Sequence, residues 1–293
     1  MPLEPSAAAL MRLTARDRYA MQVLLELRYM TSPQLQEVCY PTRSVRGTAR
    51  RLGILRERGL VHCLRHRTFD DRRAFWGLTP LGRAAGSALG DAPAPRAAVY
   101  LVAALHMDHL VVTNQVFCDL CREHQSGRLG TFRWFASHRA SVELEGSRLV
   151  PDAVILVPSP DSQWWMYCLE VDRGTMGTDA LREKLERYRV MRSLAASHPG
   201  DPLWEARADS WLMFACQARE RAKTLAGLAQ AVGLERVWAG LAEECASRLA
   251  GAVSAAGTGG EVPAPPGLGQ GLTPPPGGSP GRTDSEKERE GSA

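Results

Sequence analysis

Two carboxylates sit at the ends of neighbouring apolar runs. Asp152 opens the run DAVILV, and Glu170 closes on the run WWMYCLEV after a turn over Ser159–Gln163. If the two runs pair as a hairpin, an acid at the mouth of one strand meets an acid at the end of its partner. Such a pair can hold a magnesium ion, which takes few protein carboxylates, several waters and phosphate oxygens, and this is an arrangement that cuts phosphodiesters. Asp152 and Glu170 are therefore the candidate metal ligands, although a solvated turn acid is the plainer account of each. Lys184 stands out because only three of the 36 Lys+Arg are lysine, the others being Lys223 and Lys287. It could position an attacking water, or it could pair with Glu183 or Glu186 on an exposed helix.

A second set of residues has the chemistry to meet phosphate. Residues 1–90 carry 15 arginines against 7 acids, whereas the rest of the chain is net acidic although the whole is +4. The arginines cluster as Arg43, Arg46, Arg50 and Arg51, and again as Arg65, Arg67, Arg72 and Arg73. Clustered like charge is the electrostatic footprint of a nucleic-acid contact, where a merely solvated surface would mix signs.

The elements that must carry these arginines follow from periodicity. Ala20, Val23, Leu24 and Leu27 recur at helical spacing, which predicts a first helix over about 15–29. Thr31 or Ser32 caps a second, with Pro33 in its first turn and Pro41 ending it. Ser44 caps a third, in which Val45, Ala49, Leu52 and Leu55 form the expected buried stripe and Gly59 the stop. A hairpin over 60–78 and a helix starting at Thr79-Pro80 complete the set. The passage WGLTPLGRAAG (76–86) resembles the wing-to-helix passage of winged helix-turn-helix regulators. That resemblance implies that the third helix enters the major groove of double-stranded DNA, with Arg43, Arg46, Arg50 and Arg51 as groove and phosphate contacts and Arg65, Arg67, Arg72 and Arg73 on the wing. Many winged helices bind protein instead, which keeps an adaptor reading open.

Pro151-Asp152, then Glu170-Val171-Asp172, then a helix over about 178–194 resemble the PD-(D/E)XK nuclease core. More narrowly, VPDAVILV, CLEVDRGT and LREKLERYRVM look like the replication-relaxation family of plasmids and other bacterial mobile elements, with the resemblance running from residue 10 to about 240. It implies an N-terminal winged helix joined to a nuclease-like domain with Asp152, Glu170, Asp172 and Lys184 as its catalytic set and Mg2+ as its cofactor when active. The chain departs from the nuclease motif at Asp172, which stands where lysine is expected; a carboxylate cannot steady developing negative charge. Asp172 could add a third metal ligand, with Lys184 reaching the site from the following helix. Alternatively, Asp172 and Arg173 form a structural salt bridge, or Arg173 with Gly174-Thr175 shapes a phosphate-holding turn.

Length and composition agree with this plan. A chain of 293 residues and 32.0 kDa, 44% hydrophobic and 23% charged, suits about two globular domains. The apolar runs are too short to span a bilayer and no leader segment is recognisable, so a cytoplasmic location is expected. Seven cysteines are expected to stay reduced. His106, His109, Cys118, Cys121 and His124 imitate a zinc set, but both cysteines fall inside one amphipathic helix and read as buried thiols. Gly86–Arg96 (GSALGDAPAPR) cannot hold a regular element, and the Pro/Gly-rich stretch from Gly251 has little to bury.

The expected fold is therefore an α+β, two-domain chain: a winged helix-turn-helix over 10–88, a linker over 89–97, a restriction-endonuclease-like mixed α/β domain over 98–250, and a disordered tail over 251–293. The expected function is DNA binding for plasmid replication, relaxation or copy control. The nuclease-like domain would be a degenerate docking or dimerisation scaffold, which admits a homodimer. The alternatives are an active Mg-dependent endonuclease or nickase and a protein-binding adaptor.

Overall fold

A computed structural model describes residues 13–65, 73–89, 104–144, 146–160, 163–197, 206–256 and 271–274. The first helix, α1 (Ala15–Leu27), starts at a capping box in which the Asp17 backbone N–H donates to the Thr14 hydroxyl and the Thr14 N–H donates to the Asp17 carboxylate. A short strand not foreseen from the sequence, β1 (Tyr29–Thr31), leads into α2 (Ser32–Cys39), capped by Thr31. Helix α3 (Val45–Glu57) is capped by Ser44 and followed by Gly59 at φ +71°. Its buried stripe differs from the expected one: Thr48, Leu52 and Leu55 face the core, whereas Val45 is 43% exposed. Positions 48, 52 and 55 keep the i, i+4, i+7 spacing that one buried face requires; Val45, one turn earlier on the same stripe, is the first residue of the helix and overhangs the core.

Strands β2 (Val61–Arg65) and β3 (Ala74–Leu78) pair antiparallel, and β1 adds to the other side of β3. The hairpin turn, with Arg67 and Arg72, lies outside the described residues, as do residues 90–97 of the expected linker. Helix α4 (Pro80–Ala88) is capped by Thr79 and runs through Gly86–Ala88, which the composition had suggested were linker. Gly82 is required there because a Cβ would lie 1.8 Å from the Leu60 carbonyl oxygen.

The second half is a mixed sheet between helical layers. After α5 (Ala104–Gln125) come β4 (Arg133–Ala136), α6 (Ser137–Ala140), a hairpin of β5 (Val142–Leu144) and β6 (Ser147–Leu149), then β7 (Ala153–Pro158) and β8 (Trp164–Asp172). Helix α7 (Thr178–Ala196), β9 (Trp211–Cys216), α8 (Arg219–Ala231), β10 (Val237–Leu241) and α9 (Cys245–Ala256) follow. The strand order is β10-β9-β8-β7-β4, with β8, β9 and β10 parallel and the β4–β7 and β7–β8 pairs antiparallel. Alternation along β7 sends Ala153, Ile155 and Val157 to one face and Val154 and Leu156 to the other. The second face packs on α7 and α8. The first shares one core with α5, α9 and the N-terminal helices, so α5 is packed on both sides. Asn114 of α5 donates to the Leu27 and Tyr29 carbonyls at 3.3 and 2.7 Å, which ties that helix to the end of α1.

No described helix is long and apolar enough to cross a membrane. Two parts of the tail expected from Gly251 are ordered, and residues 257–270 and 275–293 lie outside the described residues. Helix α9 continues to Ala256, and Leu272 forms an antiparallel bridge to Trp134 on the open edge of β4, with reciprocal N–H to carbonyl bonds of 2.9 Å. Leu272 is buried there, and Tyr19 of α1 donates to the Thr273 carbonyl. A single apolar residue and a free strand edge are enough to hold a segment that composition marks as solvated. Leu272→Ala is expected to cost about 2 kcal/mol, the low end for truncating a buried leucine, read by denaturant unfolding. A change below the error of that measurement would show that the bridge contributes nothing.

Candidate functional site

One arginine of the N-terminal cluster, Arg51, is anchored by a buried acid. Asp17 is fully enclosed, and its carboxylate accepts from Thr14, from the Tyr40 hydroxyl at 3.0 Å and from Arg51 Nε at 2.9 Å. Burial pushes the carboxyl up, but hydrogen bonds from Arg51 and Thr14 outweigh it and leave the group below its ordinary value. Arg51 is thus taken out of the set expected to touch a ligand: it braces α3 against α1. Arg43, Arg46 and Arg50 are exposed and make no ion pair among the described residues. Arg65, at the end of β2, and Arg73, just before β3, are also exposed.

The second cluster forms where β7 begins and β8 ends. The expected hairpin does bring Asp152 and Glu170 to the same end of the sheet, with β8 running two residues past Glu170. Asp152 precedes β7 instead of lying within the strand. Its Oδ2 accepts from the Val171 N–H at 2.8 Å and its Oδ1 from His109 Nε2 of α5 at 2.8 Å. Glu170 lies on the opposite face of β8 from Leu169 and Val171, towards α7. Its Oε1 accepts from the Tyr188 hydroxyl at 2.6 Å and its Oε2 from Lys184, one helical turn earlier. Asp172, on the same face, accepts from the Gly174 N–H at 2.5 Å and from Arg221 of α8 at 3.0 Å. Arg173 reaches Asp108 of α5 at 3.2 Å.

Several expectations are corrected here. Lys184 does not pair with its helix neighbours, because Arg187 holds Glu183 and Arg189 holds Glu186 while Lys184 turns inward. Asp172 and Arg173 do not pair with each other, since successive side chains of a strand point to opposite faces and find different partners. His109, Tyr188 and Arg221 are the members that spacing did not reveal. His109 had been weighed only as a zinc donor, and Cys118 and Cys121 are buried in α5.

The electrostatics follow from burial. Asp152 is half-buried, and the loss of water raises its carboxyl, yet His109 and Lys184 more than compensate and hold it below the usual value. Glu170 is enclosed and burial lifts it to about 7 despite Lys184 and Tyr188. Burial lowers the Lys184 ammonium, but Glu170 and Asp152 reverse that and keep it charged. The two shifts divide the pair's energy unequally: Lys184 keeps some contact with water, while Glu170 has none and bears the desolvation.

The donor set does not fit a divalent ion as it stands. Both oxygens of Asp152, Glu170 and Asp172 are already hydrogen-bonded, and each carboxylate has a protein side chain as partner: His109, Lys184 and Arg221 respectively. A magnesium ion would have to displace Lys184 from an enclosed carboxylate and compete with a fixed charge already in place.

Lys184→Ala is expected to lower stability by about 1–2 kcal/mol near pH 8, a limited loss because Glu170 can take up a proton. A carboxyl with a raised folded value binds protons more readily when folded. Its contribution therefore weakens as pH rises from the unfolded value of 4.5 through about 7. The Lys184→Ala deficit should thus shrink below pH 5. Melting curves at both pH values check this, and a deficit independent of pH would remove the Glu170 account.

A protein-family model described as replication-relaxation matches residues 21–200. No curated protein and no solved structure matches the chain.

Proposed function

The chain belongs to the replication-relaxation family, and from that premise we propose that it binds double-stranded DNA in the replication or relaxation of a bacterial plasmid or related mobile element. In this reading α1 to α4 with the β2–β3 hairpin are a winged helix-turn-helix whose α3 enters the major groove. The observation that carries it is the division of labour among the arginines: Arg51 is used inside, against Asp17, while Arg46 and Arg50 on the same helix, and Arg43 just before it, face outward without partners among the described residues. Phosphates are the ligands that such a row suits best.

The α/β half is read as a nuclease-like domain that has become a scaffold. Its support is the saturation of Asp152, Glu170 and Asp172 by protein donors and the presence of Asp172 where the nuclease motif has lysine. In that role His109 and Arg173 join α5 to the sheet, and α5 in turn carries the DNA-binding helices, so the cluster sets where α3 stands relative to the sheet.

Titration of duplex DNA with the full chain across a salt series tests the reading. With about five phosphate contacts, the logarithm of affinity should fall with the logarithm of salt at a slope of about −4.5. Supercoiled, linear and single-stranded DNA should all survive incubation in magnesium or manganese. Nicking would replace the scaffold by an active site, and salt-independent or absent binding would favour a protein-binding adaptor.

A further inference from the structure

We infer that the row Val45, Ala49 and Gly53 of α3, exposed at Val45 and half-buried at Ala49 and Gly53, is the groove-contacting surface of this helix, with Val45 seated on the 5-methyl group of a thymine. The inference rests on the DNA-binding reading and names which side chains meet bases instead of phosphates. The three residues are four apart and therefore form one row along the helix, shrinking from Val to Ala to Gly. Arg46 and Arg50 form the adjacent row, and Arg43 and Arg56 are also exposed.

Neither end of the row is enclosed by the protein. Val45 is 43% exposed although it is β-branched and apolar, because it stands at the helix start, one turn beyond the buried Thr48, Leu52 and Leu55. Gly53 sits in the helix interior, where glycine weakens a helix, yet a Cβ there would meet nothing within 4 Å. Its backbone is helical, so no unusual φ calls for glycine either. An external body can therefore come close to the helix axis at Gly53.

The charge flanking the row selects that body. Arginines at 43, 46, 50 and 56 call for a polyanion, and Glu57 is the one exposed acid at the far end of the helix. The major groove of B-form DNA is wide enough for a helix and is walled by phosphates on both sides. Its floor carries the thymine methyl as the one apolar group that a valine can recognise. A helix with small residues along its centre can sit deep between those walls while its arginines reach outward.

The test uses a duplex selected by the full-length protein from a random-sequence pool, then resynthesised with deoxyuridine in place of thymine. Removing the methyl groups should weaken the parent about fourfold for each one contacted, the factor that one buried methyl corresponds to. Val45→Ser should bind the thymine and deoxyuridine duplexes equally, near the parent's deoxyuridine value. Gly53→Leu should melt no lower than the parent, since leucine favours a helix and has room, yet bind about tenfold more weakly or worse. Equal binding of both duplexes by the parent, or undiminished binding by Gly53→Leu, would overturn the inference while leaving DNA binding itself intact. A parent that enriches no duplex would overturn both and direct the face towards an acidic protein.

Discussion

Asp17→Ala is expected to lower the free energy of unfolding by about 3–5 kcal/mol, the usual cost of removing one partner from an enclosed ion pair. The charge left behind would be Arg51, whose side chain is only 17% exposed. The same change leaves the Tyr40 hydroxyl without its acceptor and removes the capping interaction at the start of α1. The consequence reaches function because Arg51 lies between the buried and exposed faces of α3: losing its anchor frees the helix that presents Arg46 and Arg50. Chemical denaturation measures the effect, and a loss under about 1 kcal/mol would mean that the pair is replaceable by solvent. The pH dependence carries an independent check. Asp17 is held below its ordinary value of 3.8, so its contribution is complete above that pH and disappears as pH falls through the folded value. Asp17→Asn should flatten the acid limb of the stability curve.

The double change Arg46→Ala with Arg50→Ala should weaken duplex binding about a hundredfold at moderate salt and make the salt slope shallower by about 2. Neither side chain is used by the fold, so the melting temperature should stay close to that of the parent. Affinity measured at several salt concentrations separates this from misfolding. A weakened complex with an unchanged slope would mean that the two arginines act through bases or through α3 packing, and an unchanged affinity would take α3 out of the interface. The pairing of these two results matters more than either alone. Asp17 should act on stability and through it on binding, whereas Arg46 and Arg50 should act on binding only.

The helix starts at Thr14, Thr31, Ser44 and Thr79 depend on hydrogen bonds spanning three residues, and they can be recognised in the chain order itself. The same holds for the stop at Gly59, for the alternation of β7, and for the hairpin that brings Asp152 to the end of the sheet where Glu170 lies. Each of these needs only local backbone geometry, so residue type and spacing suffice.

What the tertiary structure alone decided is the partner of several buried carboxylates. His109 meets Asp152 across 43 residues, Arg51 meets Asp17 across 34, and Arg221 meets Asp172 across 49. Burial sets these choices: a carboxylate enclosed between layers must take whichever cation the packing of another helix brings within reach, and spacing along the chain does not encode that distance. The same holds for Leu272, whose neighbours in sequence read as solvated linker, and for Val45, which is apolar and on the buried stripe of α3 yet is left exposed at the helix start. Local sequence determined where the capped helices begin, though not β1 or the full extent of α4 and α9; close packing between segments far apart in the chain determined which side chains are enclosed, paired or left facing outward.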